Sequence, residues 1–106
     1  MNEISVEIKS GLSVILYELF YMNEADLKNL SPFGEKQRKY YEKFDENKIE
    51  MIGKALEWAE RNSDYPFNTI YPRHSKIENK LVFNFLKYTL HGLVDSGLYK
   101  VWKLTE

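Results

Sequence analysis

The chain of 106 residues contains no cysteine, which excludes disulfide bonds, thiol nucleophiles and cysteine-ligated metal sites together. It also lacks a long hydrophobic run, since residues 12–22 are interrupted by Ser13 and Glu18 and are too few to span a bilayer. The first residues, MNEISVEIKSG, carry acids where a secretory signal would carry bases. Together these absences predict a cytoplasmic protein without a membrane partner.

Motifs for catalysis and for metal or phosphate binding are missing as well. The sequence has no GxSxG, HExxH, EF-hand or glycine-rich phosphate motif, and neither His74 nor His91 has a motif partner. Lys87 and His91 have the spacing of basic–histidine pairs in small helical ribonucleases. Those enzymes place an arginine and a polar neighbour before the histidine, whereas this chain reads Lys-Tyr-Thr-Leu-His. We therefore expect no enzyme, no cofactor and no bound metal.

The overall composition of the chain is typical of one globular domain covering residues 1–106. Hydrophobic residues make up 43% of the chain and charged residues 29%. The formal net charge of −1 argues against a general affinity for polyanions. Aromatic residues reach 15%, which favours a core built from large rings. Tyrosine and tryptophan are also enriched at binding hot spots, so an aromatic binding surface is the alternative.

The first segment is predicted to be a helix over about residues 3–22, because aliphatic residues recur there every three or four positions. A strand over residues 4–8 is the competing interpretation. At 100° per residue, an acidic and tyrosine-bearing face lies opposite most of the aliphatic residues. The members of this face are Glu3, Glu7, Tyr17, Glu18 and Tyr21.

Three further helical segments are predicted before a loop. They are a short turn over 26–30 capped by Asn23, a helix over 32–44 capped by Ser31 before a proline, and a helix over 46–61 capped by Asp45 or Asn47. The helix over 46–61 has the clearest amphipathic pattern in the chain. The loop over 62–74 contains two prolines and several apolar residues, and we expect it to pack against the domain.

The last long helix is predicted from the capping box Ser75-x-x-Glu78 to about residue 95, where Ser96-Gly97 ends it. Apolar residues cover most of its circumference, so it should form the buried centre of the fold. Residues 98–104 alternate, which indicates a short strand or an extended tail docked by Trp102. The predicted fold is thus an all-α bundle of four to five helices around a central C-terminal helix, with a short terminal strand left open.

The charges are unevenly distributed. Up to residue 27 there are five acids and one base, whereas from residue 72 onward there are six bases and three acids. Packing of the acidic end beside the basic end would explain this. A surface for a basic protein partner would also explain it, because acids steer the encounter and tyrosines supply rigid contact area. In this interpretation the acidic, tyrosine-bearing face binds the partner.

In size, single-domain build, lack of motifs and richness in Lys, Asn and Tyr, the chain resembles the cognate immunity proteins of bacterial contact-dependent toxins. The resemblance is one of general character over the whole chain and rests on no diagnostic motif. It implies a protein-binding inhibitor whose partner is a basic, nuclease-type toxin. Such toxins are basic because they bind phosphates, so acidic inhibitors suit them.

A nucleic-acid-binding regulator is the first alternative. Its basic residues would be Lys76, Lys80, Lys87 and His91 on the last helix, followed by a strand as in a winged helix. That helix is too apolar to lie free in a groove, and arginine, the preferred base-reading residue, occurs only three times. Nucleic acid is therefore the less favoured partner. A subunit of a larger assembly is the second alternative.

Overall fold

The structure, a computed structural model, describes residues 4–100. All regular elements in this part of the chain are helical, which confirms the predicted all-α bundle. The α-helices are α1 (Val6–Leu16), α2 (Glu24–Lys28), α3 (Glu35–Glu42), α4 (Glu46–Arg61) and α5 (Asn79–Asp95), and 3₁₀ turns lie at Tyr17–Tyr21, Phe67–Thr69 and Pro72–His74. None of these helices is both long enough and apolar enough to cross a membrane.

The first segment is an α-helix only in its first half. The Ser5 side chain caps α1 by accepting a hydrogen bond of 3.1 Å from the backbone N–H of Ile8. Because Val6 is already helical, the alternative of a strand over residues 4–8 is wrong. From Tyr17 to Tyr21 the chain tightens into a 3₁₀ helix, so the α-helical spacing predicted as far as residue 22 does not hold there.

Helix α4 has the predicted bounds and forms the main partner of α1. Asp45 is its cap, accepting a bond of 2.8 Å from the backbone N–H of Lys48. The two helices approach each other closely at Gly11, where a Cβ would lie only 2.6 Å from the Cβ of Ala55. Glycine at this position therefore allows the backbones of α1 and α4 to come into contact, which offsets its poor helix propensity.

Two helix starts differ from the prediction. Helix α3 begins at Glu35, not at residue 32, and its cap is Gly34, whose N–H donates to Oε1 of Gln37 at 2.9 Å. Helix α5 begins at Asn79, because Ser75 closes the preceding 3₁₀ turn through a 3.1 Å bond from its N–H to the carbonyl of Pro72. The predicted caps at Ser31 and at Ser75-x-x-Glu78 are therefore wrong.

The loop between α4 and α5 packs against the domain, as predicted. Phe67 is completely buried, and its ring lies 6.4 Å from that of Trp58. The Trp58 ring also meets that of Tyr65 at 5.3 Å. Asn79 ties the loop to α5, since its side-chain amide donates to the Tyr65 carbonyl at 2.8 Å and accepts from the Asn68 N–H at 3.1 Å.

Helix α5 contacts α1, α2, α4 and the turn Phe67–Thr69, in agreement with its predicted central position. It ends as expected at Gly97, which has a positive φ of 81°. Residues 98–100 form no strand, and the rest of the predicted strand, with Trp102, lies outside the described residues. Tyr99 instead anchors this part of the chain: it is 5% exposed, packs on Gly53 and donates a hydrogen bond to Glu57.

Candidate functional site

Four exposed rings form what we call the aromatic patch: Tyr17, Phe20 and Tyr21 of the 3₁₀ segment, and Tyr40 of α3. Their exposed fractions are 50%, 36%, 76% and 41%. Burial raises the pKa of Tyr40, and the charge of Glu18 raises it further, so Tyr40 lies within electrostatic range of the 3₁₀ segment. Clustered exposed rings are uncommon on a monomer and mark a surface suited to binding.

The 3₁₀ geometry brings the rings of this patch together. With three residues per turn, side chains three positions apart lie above one another. The ring centroids of Tyr17 and Phe20 are accordingly 5.6 Å apart. Tyr21, one position further along, also reaches the Tyr17 ring, at 5.8 Å between centroids. The hydroxyl oxygens of the two tyrosines are separated by 3.3 Å. Two of the predicted site residues, Tyr17 and Tyr21, are thus in direct contact.

A buried histidine supports the patch from below. Phe20 packs on His74 at 4.5 Å and on Tyr71 at 5.1 Å between ring centroids. His74 is 3% exposed, and neither of its ring nitrogens has a hydrogen-bond partner among the described residues. Burial lowers its pKa, because the charged imidazolium would lose its hydration. The sequence placed His74 in a loop but gave no indication of this burial.

Glu18 does not share the open surface of its tyrosine neighbours. It is partly buried, and its Oε2 accepts a hydrogen bond of 2.8 Å from the hydroxyl of Tyr41, a buried residue of α3. Burial raises the pKa of Glu18, and the bond from Tyr41 opposes that rise. Glu18 thus faces α3, whereas Tyr17 and Tyr21 of the same 3₁₀ segment face solvent.

Glu7, a second acid of the predicted face, is separated from the patch. Glu7 is exposed in the first turn of α1, about 15 Å along the helix axis from Tyr17. Glu3 lies outside the described residues. Two further exposed acids follow the patch in α2: Glu24 pairs with Lys28 at 3.0 Å, and Asp26 accepts a capping bond of 2.9 Å from the Asn23 N–H.

The alternative basic stripe is only partly assembled. Lys80, Lys87 and His91 are exposed along α5, whereas Lys76 precedes the helix because α5 starts later than predicted. Nε2 of His91 lies 3.2 Å from a carboxylate oxygen of Glu60 on α4, so an acid adjoins the stripe. The part of the chain that the structure describes also offers no strand to act as a wing.

The described residues contain no group of three or more His, Cys, Asp or Glu side chains placed to hold a metal ion. Comparisons of the chain with protein families, with curated proteins and with solved structures found no match.

Proposed function

We propose that this protein is a protein-binding inhibitor of the immunity type, which binds a basic, nuclease-type toxin domain through the aromatic patch. The observation that carries the proposal is the exposure of Tyr17 and of the Phe20 and Tyr21 rings packed on it, with the exposed Tyr40 within electrostatic range of this segment. Large rings of this kind contribute much of the binding energy at protein interfaces and lose little conformational entropy when they are covered.

Charge supports a basic partner. Exposed carboxylates occur on both sides of the patch in sequence, at Glu7 in α1 and at Glu24 and Asp26 in α2. Acids at the rim of an interface accelerate the encounter with a positively charged protein and contribute less to the final affinity. In this proposal the rings supply affinity and the acids supply the rate of association.

The test is affinity capture with the tagged protein from a lysate treated with nuclease, run in parallel with a Tyr21→Ala variant. Support requires three results: a basic protein retained stoichiometrically at moderate salt, its loss from the variant, and toxicity of that protein that is relieved by co-expression. Retention of a protein that Tyr21→Ala and Tyr17→Ala leave unchanged would remove the patch from the proposal.

The rate of association provides a second test. Glu7→Lys reverses an exposed charge on the predicted side of the molecule, and Glu46→Lys reverses an exposed charge at the start of α4 as a matched control. We expect Glu7→Lys to slow association with the captured partner in low salt more than Glu46→Lys does. Equal rates for the two variants would argue against steering by this face.

The nucleic-acid alternative depends on the exposed Lys80 and Lys87 of α5. It predicts that the protein retains nucleic acid at low salt and releases it steeply as salt rises. Retention of nucleic acid alone, abolished by nuclease and weakened by Lys80→Ala and Lys87→Ala, would replace the inhibitor proposal with this one.

A further inference from the structure

A cavity of about 280 Å³ opens beside the aromatic patch, between the 3₁₀ segment, α2, α3 and α5. Four rings contribute to its wall: Phe33, Tyr41, Phe85 and Tyr88. The Phe33 ring stacks on that of Tyr41 at 6.0 Å and meets the edge of Tyr88 at 5.9 Å. Gly92 of α5 permits this arrangement, because a Cβ there would overlap the Phe33 ring.

The only charged residues that line this cavity are two acids, Glu18 and Asp26; no Lys, Arg or His lines it among the described residues. Asp26 is exposed and belongs to the capping box of α2, where one of its oxygens accepts from the Asn23 N–H. Glu18 differs in being partly buried; one of its oxygens accepts from Tyr41, and no described residue donates to the other. A partly buried carboxylate that no cation compensates favours binding of a positive charge.

We propose that this cavity binds one organic cation of the alkylammonium or guanidinium class, with Glu18 as its counter-ion and the rings of Phe33 and Tyr88 as its walls. The faces of aromatic rings carry negative potential and attract cations within roughly 6 Å. At roughly 30 Å³ for each water-sized group, the cavity has room for the end of a lysine or arginine side chain.

The source of the cation follows from the proposed function, on which this step rests: a lysine or arginine of the basic partner enters the cavity while the partner covers the patch. Glu18 joins the two regions, because it lines the cavity and its charge acts on Tyr40 of the patch. A partner side chain held in this way would fix the register of the complex.

The experiment uses the protein alone, so that its outcome is independent of any partner. Amide chemical shifts are followed by NMR during titration with n-butylguanidinium and n-butylammonium, and with n-butylurea as the neutral analogue. We expect saturable shifts around Glu18, Phe33 and Tyr88 with both cations and none with the urea. Absence of saturation with the cations, or equal binding of the urea, would overturn the proposal.

Two variants locate the site. Glu18→Gln keeps an acceptor for the Tyr41 hydroxyl but removes the charge, and we expect binding of both cations to weaken by about tenfold or more. Glu7→Gln removes the same charge from an exposed position and should leave binding unchanged. If Glu18→Gln unfolds the protein, Tyr88→Leu removes a wall and should weaken cation binding severalfold without touching the carboxylate. Binding unaffected by the available variant would refute the assignment.

Spermidine distinguishes the source of the cation. If spermidine binds with the same affinity as n-butylammonium, a single side chain from a partner is supported as the source. Much tighter binding of spermidine would identify a free polyamine as the ligand and overturn the partner assignment.

Failure of all these titrations would leave the aromatic patch as the proposed binding surface, since capture of a partner and its loss in Tyr21→Ala are measured separately.

Discussion

The two halves of the first segment use apolar side chains in opposite ways. In α1, Leu12, Ile15 and Leu16 have no exposed surface and pack inside the bundle. In the 3₁₀ half, which follows directly, Leu19 is also buried, but Tyr17 and Tyr21 are at least half exposed. The first half contributes its aliphatic side chains to folding stability, whereas the second leaves two large rings in contact with water. The change from core to candidate interface thus occurs within one turn of the chain.

The largest expected effect is on the packed half. Leu12→Ala removes a completely buried side chain, and we expect the free energy of unfolding to fall by about 2–5 kcal/mol, from lost burial and from the cavity left behind. Urea denaturation measures this loss. Val6→Ala is the control, because Val6 is 82% exposed on the same helix and should cost little. Similar losses for both variants would contradict the comparison.

A somewhat smaller loss is expected at the contact between α1 and α4. In Gly11→Val the added side chain meets the Cβ of Ala55 and the carbonyl of Met51. We expect a loss of about 1–3 kcal/mol from overpacking, also measured in urea. Ser10→Val places the same side chain at an exposed position of α1. An effect of Ser10→Val as large as that of Gly11→Val would attribute the loss to β-branching rather than to helix contact.

His74, beneath the patch, should make stability depend on pH. Because burial lowers its pKa from 6.5, the unfolded chain takes up a proton first as the pH falls. The free energy of unfolding should therefore decrease from pH 7 downward through 6.5, until the folded protein is protonated as well. Denaturation at several pH values should show this decrease in the wild type and not in His74→Phe. The variant His91→Asn changes an exposed histidine and should keep the decrease. If the decrease disappeared in this variant, His91 and not His74 would be its source.

The smallest effect on stability is expected at the exposed end. Tyr21 is 76% exposed, so Tyr21→Ala should change the free energy of unfolding by at most about 0.5 kcal/mol. Thermal and urea denaturation check this value. If the variant lost stability on the scale of Leu12→Ala, the aromatic patch would be part of the core, and its exposure would carry no argument for binding.

Local sequence signals predicted helix ends correctly where no neighbouring turn used the same residues. Helix α4 begins after the Asp45 cap and ends at Arg61 as expected, because its amphipathic spacing agrees with its cap. Gly97 ends α5 for an equally local reason, a positive φ that suits glycine. Ser75 misled the prediction because its N–H joins the turn begun by Pro72, and a 3₁₀ turn leaves no strong pattern in a sequence.

The features of the candidate site that depend on distant residues were not predictable. Glu18 turns inward toward Tyr41, which lies 23 residues further along the chain. The burial of His74 depends on contact with Phe20, which precedes it by more than fifty residues. The tyrosines were found from composition and spacing, because aromatic residues stand out in a charged segment. Tertiary packing decides which of the predicted acids lies at the surface with the tyrosines, and helical periodicity contains no information about that packing.

The contact of Trp58 with Tyr65 gives the protein an optical reporter. Trp58 is one of two tryptophans, and the other is Trp102, so Trp102→Phe would leave a single indole fluorophore. Its emission would report the polarity around the loop that Phe67 and Tyr65 hold against α4. Opening of that loop would expose the indole to water and shift its emission to longer wavelength. Stopped-flow mixing could then time the closure of the loop separately from the formation of the helices.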